Sequence, residues 1–306
     1  MNWNASNIPS QRNRTAVVTG TGGLGLEDSL ELSRAGAHVV IAGRNPQKGA
    51  EAVARVRAEV PAAQVRFEQV DLASLESIEG FVGRLGQQLG SLDLLVNNAA
   101  VMTPPKRERT SDGFELQLGT NYLGHFALTA RLMPLLKKGK DARVVTLSSV
   151  AARAGAIDFD DLQSERSYEP MRAYGQSKLA CLMFGLELQR QSEARGWGVT
   201  SIAAHPGVSR TDLLHNAPGR WSMAGTARTF LWFLFQPAAQ GALPTLYAAT
   251  SPEAKGGNYY GPDKLGETRG APALAKVPTQ AEDRASSERL WRVSEQLTRV
   301  SFEEAP

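Results

Sequence analysis

Short apolar runs rich in β-branched residues alternate along the chain with segments whose apolar residues recur at helical spacing. The runs occupy residues 15–20, 37–43, 64–70, 92–98, 142–149 and 199–205. Because they are apolar nearly throughout, both faces of each predicted strand are expected to be covered. The pattern therefore predicts an α/β fold, with one Rossmann-type, doubly wound parallel sheet and helices on both of its faces.

The segments between the runs are typical of amphipathic helices, as in residues 25–36 and 45–60. Neither an internal repeat nor a low-complexity linker interrupts the alternation. We therefore predict a single domain over residues 1–306, of which residues 1–13 form an N-terminal arm.

The first apolar run leads into the glycine-rich stretch TGTGGLG, residues 19–25, and then into a predicted helix. Gly20, Gly22 and Gly25 fit the pattern G-x-G-x-x-G, with Gly23 and Leu24 between them. Glycines at this position let the backbone approach a pyrophosphate at the helix N-terminus. The stretch predicts a dinucleotide site, and the alternative is a tight turn without a ligand.

The second run ends in AGRN, residues 42–45. Units that bind NAD carry an acidic residue here for the ribose hydroxyls, whereas this chain has Gly43 and Arg44. A guanidinium matches a 2′-phosphate in charge and geometry. Arg44 therefore favours NADP(H) over NAD(H), and the alternative is a solvated surface arginine.

Composition narrows the function classes. The net charge is only +3 and no dense block of Lys and Arg occurs, so nucleic-acid binding is not expected. One cysteine, Cys181, and four scattered histidines do not suggest a metal site. We expect Cys181 to be a buried thiol, and His125 and His205 to pack rather than ionise. The polar N-terminus lacks a signal-peptide core, which predicts a cytoplasmic location.

Two tyrosine–lysine pairs with the same spacing occur, YGQSK at residues 174–178 and YGPDK at residues 260–264. The first lies in a predicted helix over residues 171–190, where positions i and i+4 share a face. The second contains Gly261 and Pro262, which break a helix, and we predict a turn after the last strand. Tyr174 and Lys178 are therefore the candidate catalytic pair.

Seven motifs follow one another in the order that the short-chain dehydrogenase/reductase family shows, and the chain resembles that family over nearly its whole length. Besides the glycine-rich turn and the tyrosine–lysine pair, the motifs are VDL (70–72), NNAA (97–100), NYLGHF (121–126), LSSV (147–150) and HPGVSRT (205–211). Each motif is weak alone, and their common order makes the resemblance specific.

The resemblance implies roles for individual residues. Tyr174 would exchange a proton with the substrate oxygen, Lys178 would stabilise the phenolate and hold the nicotinamide ribose, and Ser149 would hydrogen-bond the substrate oxygen. Asn121 would hold a water that links Lys178 to solvent. The cofactor contacts would come from Asp71, Leu72, Asn98, Ala99, Pro206, Gly207, Val208 and Thr211, besides the glycine-rich turn, Tyr174 and Lys178.

Within the family, residues 112–129, 157–178 and 236–263 resemble the branch of the retinol dehydrogenases and protochlorophyllide reductases. The latter have a cysteine where this chain has Val208, so they are the less similar group. The branch implies an apolar carbonyl or alcohol substrate, a substrate lid over residues 205–235, and a homodimer or homotetramer. The apolar stretch 221–235 favours a lid or subunit contact over contact with a membrane surface.

Two positions depart from the family pattern. TGTGGLG is one residue shorter than the usual Thr-Gly-x-x-x-Gly-x-Gly, and Ala100 replaces the glycine that usually ends Asn-Asn-Ala-Gly. The sequence thus predicts an NADP(H)-dependent carbonyl reductase or alcohol dehydrogenase. The alternative is a non-catalytic dinucleotide-binding sensor, with an impaired glycine-rich turn.

Overall fold

The structure is a computed structural model that describes residues 3–209 and 236–302. An 8-stranded sheet has the order β3-β2-β1-β4-β5-β6-β7-β8. Its strands are β1 Thr15–Thr19, β2 His38–Gly43, β3 Val65–Gln69, β4 Leu94–Asn97, β5 Arg143–Leu147, β6 Thr200–Ala204, β7 Tyr259–Lys264 and β8 Arg269–Leu274. Strands β1 to β7 pair in parallel and β8 pairs antiparallel with β7. The Rossmann-type α/β fold predicted from the apolar runs is confirmed.

Helices cover both faces of the sheet. They are α1 Gly23–Arg34, α2 Pro46–Glu59, α3 Leu75–Gln88, α4 Gly124–Leu136, α5 Pro170–Arg195, α6 Ala238–Gly241, α7 Leu243–Thr250, α8 Thr279–Glu282 and α9 Arg284–Thr298. One core contains Phe81, Phe126 and Phe184 from α3, α4 and α5. The other contains Leu30, Val56 and Leu246 from α1, α2 and α7. Each strand of the interior therefore packs on both sides, which explains its continuous apolar run.

The strand order reverses between β1 and β4, which are neighbours in the sheet. The chain leaves β1 toward β2 on one side and leaves β4 toward β5 on the other. A crevice forms at such a point beyond the carboxyl ends of the strands, and ligands of open α/β sheets bind there. The glycine-rich turn after β1 and residues 98–101 after β4 both lie at this edge.

The prediction of a turn at residues 260–264 is wrong, because Tyr260 and Lys264 lie within β7. Pro262 is tolerated because the register of β7 with its inner neighbour β6 covers only Tyr259 and Tyr260. Beyond Tyr260 the strand pairs only with the edge strand β8, and the register shifts near Pro262. The glycine and proline that suggested a turn are therefore accommodated at an irregular sheet edge.

The N-terminal arm packs against the second core through Trp3 and Ile8. The Trp3 ring meets that of Tyr247 edge to face, with centroids 5.4 Å apart. None of the helices in the described ranges combines the length and the apolar composition needed to cross a bilayer. Most of the predicted lid, residues 210–235, lies outside the described residues and Thr211 with it.

Candidate active site

Tyr174 and Lys178 lie one turn apart near the start of α5, and their exposed fractions are 6% and 4%. The Lys178 amine donates a hydrogen bond to the carbonyl of Leu147, at the end of β5, over 3.1 Å. Among the described residues, no side chain or backbone group bonds the Tyr174 hydroxyl. Both residues line a cavity of about 270 Å³. The helix thus presents a free phenol and an anchored ammonium to the same cavity.

Ser149 follows β5 and lines the same cavity. Its hydroxyl accepts a hydrogen bond from the Ala151 N–H at 3.2 Å and caps the 3₁₀ helix Val150–Ala154. The hydroxyl proton is not used by this cap, so it remains available to an oxygen in the cavity. The preceding residue, Ser148, donates to the Lys178 carbonyl at 2.8 Å and so ties β5 to α5.

Asn121 lies in a π-helical turn, Leu118–Leu123, immediately before α4. Its side-chain oxygen accepts from the Val101 N–H at 2.7 Å, and its amide donates to Val101 O and Ser177 Oγ at 3.0 Å each. The side chain therefore joins the segment after β4 to α5. Such π turns shift the backbone register, and they occur frequently at functional sites.

The backbone carbonyl of Asn121 is contacted by two side chains. His125 Nδ1 lies 2.8 Å from it and Cys181 Sγ lies 3.2 Å from it. Cys181 is buried, as predicted. Burial, and to a lesser extent nearby Lys178, lower the pKa of His125 to about 4 against the opposing effect of the Asn121 hydrogen bond, so the imidazole is neutral at physiological pH.

His125 does more than pack, because its other nitrogen, Nε2, lies 2.9 Å from the Thr19 hydroxyl. A carbonyl only accepts, so the proton of the neutral ring is on Nδ1 and Nε2 accepts from Thr19. Thr19 also lies 3.2 Å from Val96 O, but its single proton goes to the closer nitrogen. Its oxygen accepts from the Asn98 and Ala99 N–H groups at 2.9 and 3.0 Å.

These bonds form a continuous connection from the segment after β4 through Thr19 and His125 to Asn121. The sequence analysis missed this role of His125. Its position four residues after Asn121 in a predicted helix was the available signal, since i and i+4 share a helix face.

A second cavity of about 320 Å³ begins at the glycine-rich turn, where Gly20, Gly22, Gly23 and Leu24 form its wall. α1 starts at Gly23, and its N-cap Gly22 provides no side-chain hydrogen bond. The first N–H groups of a helix lack intrahelical partners and attract anions. The shortened turn therefore retains an open helix N-terminus beside the cavity, as a pyrophosphate requires.

Within the glycine-rich turn, Gly25 is the one predicted glycine that does not line this cavity. A Cβ there would lie 2.5 Å from the side-chain nitrogen of Asn98, and one at Gly20 would lie 2.7 Å from it. That nitrogen donates to Thr19 O at 2.7 Å. Gly20 and Gly25 thus make room for Asn98, which fixes the shape of the turn.

The far end of the second cavity is basic. Arg44 lines it together with Lys48, which the sequence analysis missed. In the described ranges neither side chain forms an ion pair. Asn45 caps α2 by accepting the Lys48 N–H at 3.0 Å, and this places both cations at the start of one helix. Asp71, Leu72 and Thr120 complete this end of the cavity, which is long enough to reach from the glycine-rich turn to Arg44.

The cavity around Tyr174 is mainly apolar. Met102 and Met171, which the sequence analysis did not select, line it. The two cavities share Leu24, Asn98 and Ala100 in their linings, so they adjoin each other. Ala100, one of the two departures from the family pattern, therefore lines both cavities.

Pro206, Gly207 and Val208, the predicted cofactor contacts of the loop after β6, form part of the wall of this cavity. Gly207 has a φ of +65°, and a Cβ at this position would overlap the carbonyl of Thr268. Only glycine fits this turn. Apart from Thr211, Gly25 and Asn121, whose positions are given above, every predicted residue lines one of the two cavities.

Comparison with known proteins agrees with this geometry. The profile described as short chain dehydrogenase matches residues 14–220. Polyprenol dehydrogenase of Mus musculus is 42% identical over 300 residues, which cover 95% of this chain and 85% of that protein. Retinol dehydrogenase 13 of Homo sapiens is 39% identical over 290 residues, which cover 93% and 84%.

Solved structures are similar as well. A protein from Mycobacterium paratuberculosis matches with a TM-score of 0.81 and 38% identity over 99% of each chain. The complex of Pseudomonas aeruginosa RhlG with NADP matches with a TM-score of 0.65 and 23% identity, over 82% of this chain and 94% of that one. The second similarity concerns the fold alone.

Proposed function

The chain belongs to the short-chain dehydrogenase family and is an oxidoreductase of alcohol and carbonyl groups; we propose that it uses NADP(H) and acts on a long apolar substrate. The observation that carries the proposal is the position of the Tyr174 hydroxyl. It has no hydrogen-bond partner in the described ranges, and it lies beside Lys178 in a mainly apolar cavity that adjoins the one at the glycine-rich turn.

The proposed chemistry uses the residues as they are placed. The bound nicotinamide would supply or accept the hydride. Ser149 would donate a hydrogen bond to the substrate oxygen, where charge develops as the carbonyl is reduced. Tyr174 would give that oxygen its proton. Lys178, held by Leu147, would stabilise the phenolate that remains.

The preference for NADP(H) is supported by charge. Arg44 and Lys48 lie at the end of the cavity where β2 stops, and no acidic side chain takes the place that NAD-binding units use for the ribose. Two cations without ion-pair partners in the described ranges suit a 2′-phosphate. RhlG, whose fold is similar, was solved with NADP.

The apolar substrate is supported by the lining of the Tyr174 cavity. Met102, Met171 and Val208 offer adaptable apolar surface, and in the described ranges Lys178 is the charged residue of the lining. The relatives include a polyprenol dehydrogenase and several retinol dehydrogenases, whose names specify isoprenoid alcohols. We therefore place isoprenoid alcohols and their aldehydes first among the substrates. A homodimer or homotetramer and a cytoplasmic location complete the proposal.

The rival hypothesis, a non-catalytic dinucleotide sensor, rested on the shortened glycine-rich turn. The turn keeps an open helix N-terminus, and this supports cofactor binding in either case. The free Tyr174 hydroxyl favours the enzyme, because a sensor has no use for an uncommitted buried phenol.

The test begins with calorimetric titrations of NADPH and NADH. NADPH should bind at least about tenfold more tightly, and Arg44→Ala should remove this preference, because a charged contact is worth roughly 1.5–3 kcal/mol. Arg292→Ala, on the exposed side of α9, is the matched control. A panel of isoprenoid and short polar alcohols and aldehydes then follows. Binding of NADPH without turnover of any member would support the sensor.

A further inference from the structure

The turn between β7 and β8, residues 265–268, packs against the loop that forms one wall of the Tyr174 cavity. Val208 N–H donates to the Thr268 carbonyl at 2.8 Å. Gly207 lies so close to the same carbonyl that no side chain fits there. The wall of the cavity is therefore built on the hairpin, although the hairpin itself lies outside the cavity.

His205 connects this wall to the hairpin. Its side chain is fully buried. Its Nδ1 accepts from the Gly207 N–H at 3.2 Å, so the proton of the neutral ring is on Nε2. Nε2 lies 3.1 Å from Glu267 Oε2 and donates to it. Burial outweighs the neighbouring carboxylate and lowers the pKa of His205 to about 4, which keeps this tautomer neutral.

Glu267 is in turn held by two further groups. Its Oε1 accepts from the Lys276 N–H at 2.9 Å, and its Oε2 pairs with Arg153 at 2.5 Å. Arg153 also donates to the Gly266 carbonyl at 2.9 Å. Arg153 lies on the 3₁₀ helix that Ser149 caps. One carboxylate thus joins the wall at Gly207 to the segment that carries Ser149.

We propose that Glu267 is a positioning residue that, through His205, fixes the Pro206–Gly207 wall of the cavity and thereby sets the affinity for the cofactor. The inference rests on the proposed function, since it needs a nicotinamide that lies against this wall. Without Glu267 the His205 ring loses its acceptor, and the Gly207 N–H loses its fixed partner. The Pro206–Gly207 segment would then populate conformations that do not fit the cofactor.

The test compares Glu267→Ala with Asp263→Asn. Asp263 is an exposed carboxylate of the same hairpin, and it accepts the Ala271 N–H at 2.9 Å without contacting His205. We expect the dissociation constant and the KM of NADPH to rise about tenfold in Glu267→Ala, while kcat changes less than about threefold. Asp263→Asn should stay within about twofold of the wild type. Thermal unfolding of each protein without NADPH measures the effect on the fold separately.

Glu267→Gln is the second variant, in case the alanine protein does not fold. It keeps the shape of the side chain but has one acceptor oxygen, whereas Glu267 accepts from Lys276 and His205 with different oxygens. Its NADPH dissociation constant should rise by at least about threefold. An unchanged NADPH dissociation constant in a folded Glu267 variant would overturn the inference, even if kcat or stability falls. An equal rise of this dissociation constant in Asp263→Asn would overturn it as well. A wild type that does not bind NADPH would refute the proposed function instead.

Discussion

Two tyrosine–lysine pairs with identical spacing are placed very differently. Tyr174 and Lys178 are both buried on α5, one turn apart at the same cavity. Tyr260 is equally buried on β7, but Lys264 is exposed to solvent. Four residues span about 6 Å along a helix and about 13 Å along a strand, so only the helical pair can act at one site.

The two phenols differ even more than the lysines. The Tyr260 oxygen accepts hydrogen bonds from the Lys255 N–H at 3.0 Å and from Asn258 at 3.1 Å. The Tyr174 oxygen has no such partner in the described ranges. A buried hydroxyl that the protein satisfies stabilises the fold, and one that it leaves free is available to a ligand. The hydrogen-bond partners, and not the spacing, therefore separate the reactive pair from the structural one.

The largest expected effect is that of Tyr174→Phe. The change keeps the ring and removes the proton donor, so kcat should fall by about 10²- to 10⁴-fold while NADPH binding and the fold are retained. Steady-state kinetics with an isoprenoid aldehyde measure kcat, and a calorimetric titration measures NADPH binding. Tyr260→Phe is the matched control and should leave kcat unchanged. Similar losses of kcat in the two variants would show that the assignment of the reactive pair is mistaken.

A somewhat smaller effect is expected from Lys178→Met. Methionine keeps the apolar stem but removes the cation beside the phenol, so kcat/KM should fall by about 10²-fold. Lys264→Met changes an exposed side chain and should leave kcat/KM within about twofold of the wild type. The same kinetic assay serves both variants. Equal sensitivity at the two lysines would mean that both pairs contribute to one site, which the positions in α5 and β7 do not allow.

For stability, in contrast to kcat, Tyr260→Phe should have a larger effect than Tyr174→Phe. Tyr260→Phe leaves the Lys255 N–H and the Asn258 amide without their acceptor and should cost roughly 1–3 kcal/mol in the free energy of unfolding. Tyr174→Phe removes a hydroxyl that has no partner in the described ranges and should change this free energy by less than about 0.5 kcal/mol. Urea unfolding of both variants measures the difference. A larger loss at Tyr174 would show that its hydroxyl serves the fold after all.

The sequence predicted β1 to β6 well and the sheet edge formed by β7 and β8 poorly, for a physical reason. β1, β2 and β4 to β6 are covered on both faces and read as continuous apolar runs. β8, in contrast, is only partly buried, and β7 contains Gly261 and Pro262. Their strand conformation depends on pairing with each other and on packing against residues 206–208, and none of this is visible in a local pattern.

In the candidate site, too, features that depend on a local motif were predicted, and features that depend on contacts between distant residues were not. Asn121, Ser149, Tyr174 and Lys178 were found because their motifs are local. The role of His125 was missed because its partner Thr19 is 106 residues away. Met102 and Met171 meet at one cavity only after folding. Lys48 could have been predicted from the sequence, since it lies four residues after Arg44, in the first turn of the helix predicted over residues 45–60.

Asp28, like Tyr174, is a buried residue whose side-chain polar atoms have no hydrogen-bond partner in the described part of the chain. Unlike Tyr174, it lies outside both cavities. It is fully buried on α1, and in the described part of the chain neither carboxylate oxygen is bonded. Burial, and to a lesser extent Glu27, raise the pKa of Asp28 well above its ordinary value. If a free buried polar group marked a reactive site wherever it occurs, Asp28 would be part of one.

We expect Asp28→Asn instead to change only stability, and in a pH-dependent way. Above pH 3.8 the unfolded chain loses the Asp28 proton while the folded protein keeps it, so the stability of the wild type falls as pH rises until the raised folded pKa is reached. Asparagine does not titrate. The variant should therefore match the wild type near pH 4 and exceed it at pH 8 by on the order of 1 kcal/mol, with kcat unchanged. Urea unfolding at both pH values measures the gain. An equal gain in the free energy of unfolding at both pH values would contradict a neutral buried carboxyl. A loss of kcat would show that Asp28 contributes to the active site.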